Sequence, residues 1–493
     1  MTQTGQNDEQ AASEAKTPKV EVTDDLVSTR HSISIDGRDF NYTSSTGRIV
    51  LRLEGQTDSK FDGPLAKAEV FVTAYTADST DPASRPVTFA FNGGPGSSSI
   101  WLHLGLLGPR RVLSGDAGQL VPPPYGLADN PQTLLQHSDL VFIDPVSTGF
   151  SRPVPGEKPA DFHGYQADID SVGEVIRLWT TRNDRWMSPK YLCGESYGTT
   201  RAAGLAHHLQ RRYGMYLNGL MLISAVLDFG SIRFTGGNDD PYVMYLPTYA
   251  AIAHYHGKHG DRPLPDVLAE AEEYAEREYP WVLGRGSRLS AEDRAAACER
   301  IAALTGLSAD YVDRVNLRPE HVRFLTELLR DRRLVCGRID GRFTAPDSDY
   351  ARERFTDDPS TAAFTGAYAA SLNHYVRAEL GYSSDLPYEV LTNLFQTWSY
   401  AEFEGQHVFV ADKLAEAMRA NQHLRVHVAC GYHDAATPYF AAERTMAQLA
   451  IPAELAANIE FSYHEAGHMM YVHEPSRLAQ SQQLASFVTA APA

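Results

Sequence analysis

The run KYLCGESYGTTRAAGLAHHL constrains the fold of this chain more than any other stretch. A strand-like apolar segment meets a helix-like one across Gly194-Glu195-Ser196-Tyr197-Gly198, with no residues to spare for a loop. Turning the chain in that space requires a strained conformation. The residues flanking the serine must also lack side chains, because strand and helix crowd them. G-x-S-x-G by itself recurs by chance; between strand and helix it reads as a nucleophile elbow that lifts the Ser196 hydroxyl clear of a sheet.

The rest of the chain agrees with a sheet of that kind. From Ser32 to Ala90, short alternating runs separated by Gly, Asp, Ser and Pro predict a series of antiparallel strands. DLVFIDP, KYLCGES and LNGLMLISAV are continuous apolar runs, as strands show when both faces of a parallel sheet are covered, and the helical pattern DIDSVGEVIRLWTTR lies among them. Between about Asp228 and Asp385 charged amphipathic helices such as PDVLAEAEEYAEREY replace that texture, which returns near the C-terminus. The expected organisation is a polar disordered tail over 1–25, a core in two parts (26–228 and 386–493), and a helical cap insertion over 229–385. The fold class is α/β: a mostly parallel central sheet with N-terminal antiparallel strands.

A hydroxyl attacks a carbonyl only when a base takes its proton and a carboxylate orients that base. In this architecture the chain order is serine, acid, histidine, with the last two on loops after late strands. VHVACGYHDAATP ends a strand with Asp434 and FSYHEAGHM ends the next with His468, which satisfies the order. Asp434 also has the alternative reading of a turn residue opening a helix. FAFNGGPGSSS leaves a strand through a glycine-rich bend whose backbone amides can approach an oxyanion, and the amide of Tyr197 supplies the second donor.

The same C-terminal stretch contains a competing pattern, His464-Glu465-x-x-His468, the H-E-x-x-H spacing of a zinc protease. That chemistry requires a helix. NIEFSY before it reads as a strand, Gly467 interrupts it, and Glu474 stands where one further ligand pattern wants histidine. A metal site is therefore not expected.

The chain has 493 residues, 43% of them hydrophobic, and a net charge of −18 from 44 basic and 62 acidic side chains. That balance disfavours nucleic acid and anionic membrane surfaces as partners. The N-terminus has no basic start followed by an apolar core, and no apolar run is long enough to span a bilayer, so a cytoplasmic protein is expected. The four cysteines, Cys193, Cys298, Cys336 and Cys430, show no paired spacing, and two of them lie in strand-like runs that predict buried thiols. Nothing in the sequence speaks to oligomeric state.

Taken together in this order, NGGPGSSS, DPVSTGFS, GESYG, GYHDAATP and AGHM resemble the serine carboxypeptidases, α/β-hydrolases that remove one residue from a peptide's C-terminus. The resemblance covers about Pro86 to Gly230 and Leu424 to Pro475. It implies Ser196, Asp434 and His468 as the catalytic triad and the amides of Gly94 and Tyr197 as the oxyanion hole. It also implies Asn92, Gly93 and Glu195 as the groups binding the substrate's terminal carboxylate, a peptide substrate, and no cofactor. The chain departs from the family where Ser97 replaces Cys, where Ser147 replaces Gly, and where Leu106 replaces a second glutamate that would share a proton with Glu195. Carboxylate binding is therefore expected to be weaker, less acid-dependent, or assisted by a cation such as Arg110 or Arg111, both of which read first as surface or salt-bridge residues. An esterase or acyltransferase with the same triad is the alternative reading, and a binding protein with a dead site a further one.

Overall fold

A computed structural model describes residues 21–490 except 58 and 80. Of the tail expected to be disordered, residues 1–20 lie outside that range. Asp24 and Asp25 are instead anchored: their carboxylates accept the amides of Val50 and Arg48 at 2.8 and 2.6 Å.

The strands β1 (Val27–Ile35), β2 (Arg38–Thr57) and β3 (Lys60–Ala77) form an antiparallel meander. The sheet then continues through β4 (Val87–Phe91), β5 (Asp139–Ile143), β6 (Lys190–Glu195), β7 (Gly219–Ile223), β8 (Arg425–Gly431) and β9 (Ile459–His464), in the spatial order β1-β2-β3-β5-β4-β6-β7-β8-β9. β3 meets β5 antiparallel, and every later pairing is parallel. Two details depart from expectation. DFNYT and RIVLRLEG join into the single strand β2, because β1 and β3 supply ladder partners for the small polar residues between them and override their turn propensity. PVTFAFN ends in a parallel strand, β4, inserted between β5 and β6 and buried on both faces.

Helices cover both faces, which is why the central strands read as unbroken apolar runs. Leu192 of β6 enters one core with Phe89, Ile176 and Leu205, while its neighbours Tyr191 and Cys193 enter the other with Phe142, Met221 and Phe487. The helices α1 (Tyr165–Arg182) and α2 (Tyr197–Tyr213) pack on the first side. Each large side chain removed from water contributes about 1.5–3 kcal/mol, so this two-sided burial holds the ends of the strands, and whatever they carry, in fixed relation.

Between β7 and β8 lie α3 (Asp240–Tyr255), α4 (Leu264–Arg277), α5 (Ala291–Thr305) and α6 (Pro359–Ala378), with shorter helices among them. The stretch is not purely helical: Val335–Cys336 and Thr344–Ala345 pair as a short hairpin, too brief to leave a period-two pattern in the sequence. After α6 the chain crosses the C-terminal ends of the strands as an irregular strap, bridging Leu391 to Ser97 and Glu389 to Gly149. It returns to the core with α7 (Ala411–Ala420), α8 (Tyr439–Ala447) and a last helix, α9 (Glu474–Thr489).

Candidate active site

The loops leaving β4, β6, β8 and β9 converge on a cavity of about 380 Å³ lined by Asn92, Gly93, Glu195, Ser196, Arg338 and His468, among others. A larger depression of about 710 Å³ lies along α1 and α2, away from the strand ends, and contains none of these groups.

Ser196 sits between β6 and α2 at φ 60° and ψ −129°. A non-glycine residue held in such a conformation costs on the order of 1–3 kcal/mol and persists only where the surroundings over-determine it. Here its amide donates to Ile223 O at 3.0 Å and its carbonyl accepts from the amide of Thr199 at 2.8 Å. Gly194 is required because a Cβ there would collide with the Gly198 carbonyl. Residues 190–195 are buried throughout, but Ser196 is only half-buried and opens on the cavity.

His468 follows β9 and is 5% exposed. Its Nδ1 donates to Asp434 Oδ2 at 2.7 Å. Asp434, fully buried after β8, is saturated by other donors: the amides of Ala436 and Thr437 reach Oδ1 at 2.8 and 2.9 Å, and the Thr437 hydroxyl reaches Oδ2 at 2.8 Å. Burial alone would lower the basicity of His468, but the Asp434 carboxylate outweighs it and holds the imidazole above its ordinary value. The structure therefore unites Ser196 and His468 in one cavity and binds His468 to Asp434.

The Gly93–Gly94 bend lies against the elbow. A Cβ on Gly93 would strike the amide nitrogen of Tyr197, so only glycine lets this loop approach the start of α2 so closely. Asp144, in DPVSTGFS, supports the bend from below by accepting the Ser99 amide at 2.8 Å. Ser147, where the resemblance expects glycine, keeps a positive φ of 71° and bonds His163 Nε2 at 2.9 Å.

Glu195 is 3% exposed, with Oε1 accepting from Asn92 Nδ2 at 2.8 Å and Oε2 from the Tyr471 hydroxyl at 2.7 Å. Both donors favour the ionised carboxylate, yet burial prevails and raises the group to about 7. Tyr471 was not legible as a site residue. Its ring fills the space over Gly105, where any Cβ would overlap it, while Leu106 turns into the apolar core. A phenol thus occupies a position beside Glu195 in a chain that has no second glutamate at 106.

Arg110 and Arg111 are salt-bridge residues, as their first reading has it, and neither assists the cavity. Arg110 is paired with Asp129 at 2.5 Å and Glu379 at 2.9 Å, Arg111 with Glu474 at 3.5 Å, and neither lines the cavity. The H-E-x-x-H pattern does not form the helical turn a zinc protease needs: His464 ends strand β9, Glu465 is exposed, and His468 lies on the following loop. Burial also pushes His464 down to about 4. The four cysteines are free and buried.

Residues 65–231 match the family model described as serine carboxypeptidase. Pheromone-processing carboxypeptidase KEX1 of Yarrowia lipolytica is 27% identical over 234 residues, 45% of this chain and 32% of that protein. Carboxypeptidase Y homolog A of Paracoccidioides lutzii is 26% identical over 194 residues, 38% and 29% of the two chains. The matched stretches thus span about a third of each relative's length. Among solved structures, the prohormone-processing carboxypeptidase KEX1(Δ)p from Saccharomyces cerevisiae superposes with a TM-score of 0.56 at 16% identity, covering 91% of both chains, and shares the α/β-hydrolase fold. The cytoplasmic placement expected from the sequence is corrected by these similarities, which are to a pheromone-processing and a prohormone-processing carboxypeptidase and to a carboxypeptidase Y homolog. Among the described residues no helix is long and apolar enough to cross a membrane. The segment matched by the family model carries the glycine bend, Asp144 and the Ser196 elbow on the sheet described above, and over residues 65–231 this chain is similar to the serine carboxypeptidases.

Proposed function

We propose that the protein is a serine-type carboxypeptidase that hydrolyses the last peptide bond of its substrate through Ser196, His468 and Asp434. The observation that carries this reading is the strained, half-buried Ser196 sharing its cavity with a histidine whose far nitrogen is locked to a buried carboxylate at 2.7 Å. His468 Nε2 takes the Ser196 proton as Oγ attacks the scissile carbonyl, and Asp434 stabilises the imidazolium that forms. The amides of Gly94 and Tyr197 stabilise the oxyanion, an interaction whose loss costs about 10²–10³ in kcat in enzymes of this kind. His468 then gives its proton to the departing amino group. Water, deprotonated by the same imidazole, hydrolyses the acyl-enzyme.

What makes the site a carboxypeptidase site is the neighbouring polar cluster. Asn92, the Gly93 backbone and Glu195 bind the terminal carboxylate. Glu195, raised to about 7 by burial, is protonated in mildly acidic solution and donates a hydrogen bond to that carboxylate where an ionised side chain would repel it. Leu106 is the one observation favouring a second reading, an esterase or acyltransferase that needs no free carboxylate, because it removes the second carboxyl from the cluster.

A fluorophosphonate probe is expected to label Ser196, and Ser196→Ala to abolish both labelling and turnover. The enzyme is expected to release a free amino acid from an N-blocked dipeptide but not from the same dipeptide with its C-terminus amidated. Equal turnover of the amidated peptide, or hydrolysis confined to simple esters, selects the second reading.

A further inference from the structure

The cavity contains one charged group that the proposed chemistry leaves unused. Arg338 lies in the turn of the Val335–Cys336 and Thr344–Ala345 hairpin and lines the cavity beside Thr361 and Phe364 of α6. Its backbone is held tightly. The amide donates to Asp358 Oδ2 at 2.7 Å, and the adjacent carbonyl, that of Ile339, accepts the amide of His468 at 2.7 Å. The guanidinium, in contrast, makes no ion pair among the described residues, although the nearby Arg342 and Arg354 are bound to Asp340 and Glu320. A half-buried guanidinium with no ion-pair partner in a cavity wall is available to something negative that enters the cavity.

That something is not the terminal carboxylate, whose partners Asn92 and Glu195 are joined to each other and to Tyr471 and make no bond to Arg338. The charges of Glu195 and Arg338 both reach His468, but Arg338 is otherwise felt by Tyr245 and His321, and Glu195 by Tyr471 and Tyr368. The two groups thus face the imidazole from different surroundings. Tyr245 in turn donates to the carbonyl of Ala436, another residue of the cavity wall.

We propose that Arg338 is a specificity-determining residue that binds a second carboxylate on the substrate, the side chain of an Asp or Glu flanking the scissile bond, and disfavours Lys or Arg in that position. This rests on the carboxypeptidase reading. The planar guanidinium suits a carboxylate geometrically, and a hydrogen bond to a charged partner corresponds to about tenfold or more in kcat/KM.

The test is a set of N-blocked dipeptides in which Glu replaces the isosteric Gln, first as the terminal and then as the penultimate residue, assayed where the glutamate is ionised. Wild type is expected to favour Glu over Gln by about tenfold at one of the two positions, which identifies the subsite. Arg338→Met is expected to bring that ratio near one, and Arg338→Glu to favour Lys over Gln at the same position. No Glu preference at either position, or a ratio that survives Arg338→Met because all substrates lose rate together, overturns the proposal. Should no dipeptide be cleaved while the fluorophosphonate still labels Ser196, the carboxypeptidase reading fails on its own. The proposal is then read from competition: Glu dipeptides shielding Ser196 from the probe better than Gln dipeptides in wild type but not in Arg338→Met supports it, and equal shielding overturns it.

Discussion

Glu195 shows how one buried side chain can set the conditions under which a site operates. Its carboxyl is held by two donors that favour the anion, but its burial keeps it protonated up to about pH 7. A group raised in this way is neutral below that value and charged above it, so the KM for a substrate with a free C-terminus is expected to rise as pH passes through about 7. Removing the Tyr471 hydroxyl removes one donor to the anion. Tyr471→Phe is therefore expected to move the rise in KM upward by roughly one unit, the size of a hydrogen bond to a charged group, and Glu195→Gln to flatten it. Profiles of KM against pH for a blocked dipeptide check both, with a simple ester as the control that lacks the carboxylate; a KM that falls with pH refutes the assignment. Of these two residues only Glu195 was readable beforehand, because it sits within GESYG. Tyr471 stands three positions after His468, yet its partner is 276 residues away in sequence, and no local pattern reports such a contact.

At the scale of elements, the loops that carry Asp434 and His468 are fastened by a piece of the chain between β7 and β8. The 337–343 turn reaches over both of them: Gly341 donates its amide to His433 O at 2.9 Å, Asp340 Oδ2 accepts the Gly467 amide at 3.1 Å, and Ile339 O accepts from His468. Asp340 is itself neutralised by Arg342 at 2.6 Å, and both side chains are buried. Gly467 is what allows it, since a Cβ there would lie 2.5 Å from Asp340 Cα. Gly467→Ala is expected to displace the His468 loop at a cost of about 1–3 kcal/mol. It should reduce kcat at least tenfold and slow fluorophosphonate labelling of Ser196, which thermal unfolding and labelling rates measured together would show. From the sequence Gly467 is legible only as a helix breaker that argues against zinc; its role against Asp340 depends on a turn 127 residues upstream.

For the whole molecule, one buried ion pair ties the helical layer to the sheet and to the site. Arg201, fully buried on α2, donates to Asp168 Oδ2 on α1 at 2.7 Å and to the carbonyl of Asn92 at 2.6 Å, with its guanidinium carbon 5.3 Å from the ring centres of Phe91 and Tyr197. Deleting one partner strands the other charge, so Arg201→Met is expected to destabilise the fold by about 3–5 kcal/mol, and adding Asp168→Leu to recover part of the loss. Urea midpoints at constant m-value check this. The amino-acid sequence alone determined most of the elements and the candidates for the reacting groups, because strand and helix periodicity, glycines that permit an elbow, and the order of Ser196, Asp434 and His468 are local or ordinal properties. Only the tertiary structure decided that Tyr471 meets Glu195, that Arg110 and Arg111 face away from the cavity, and that Arg338 faces into it. Those outcomes depend on how layers hundreds of residues apart pack against one another, and packing energy is shared among many contacts without leaving a periodic trace along the chain.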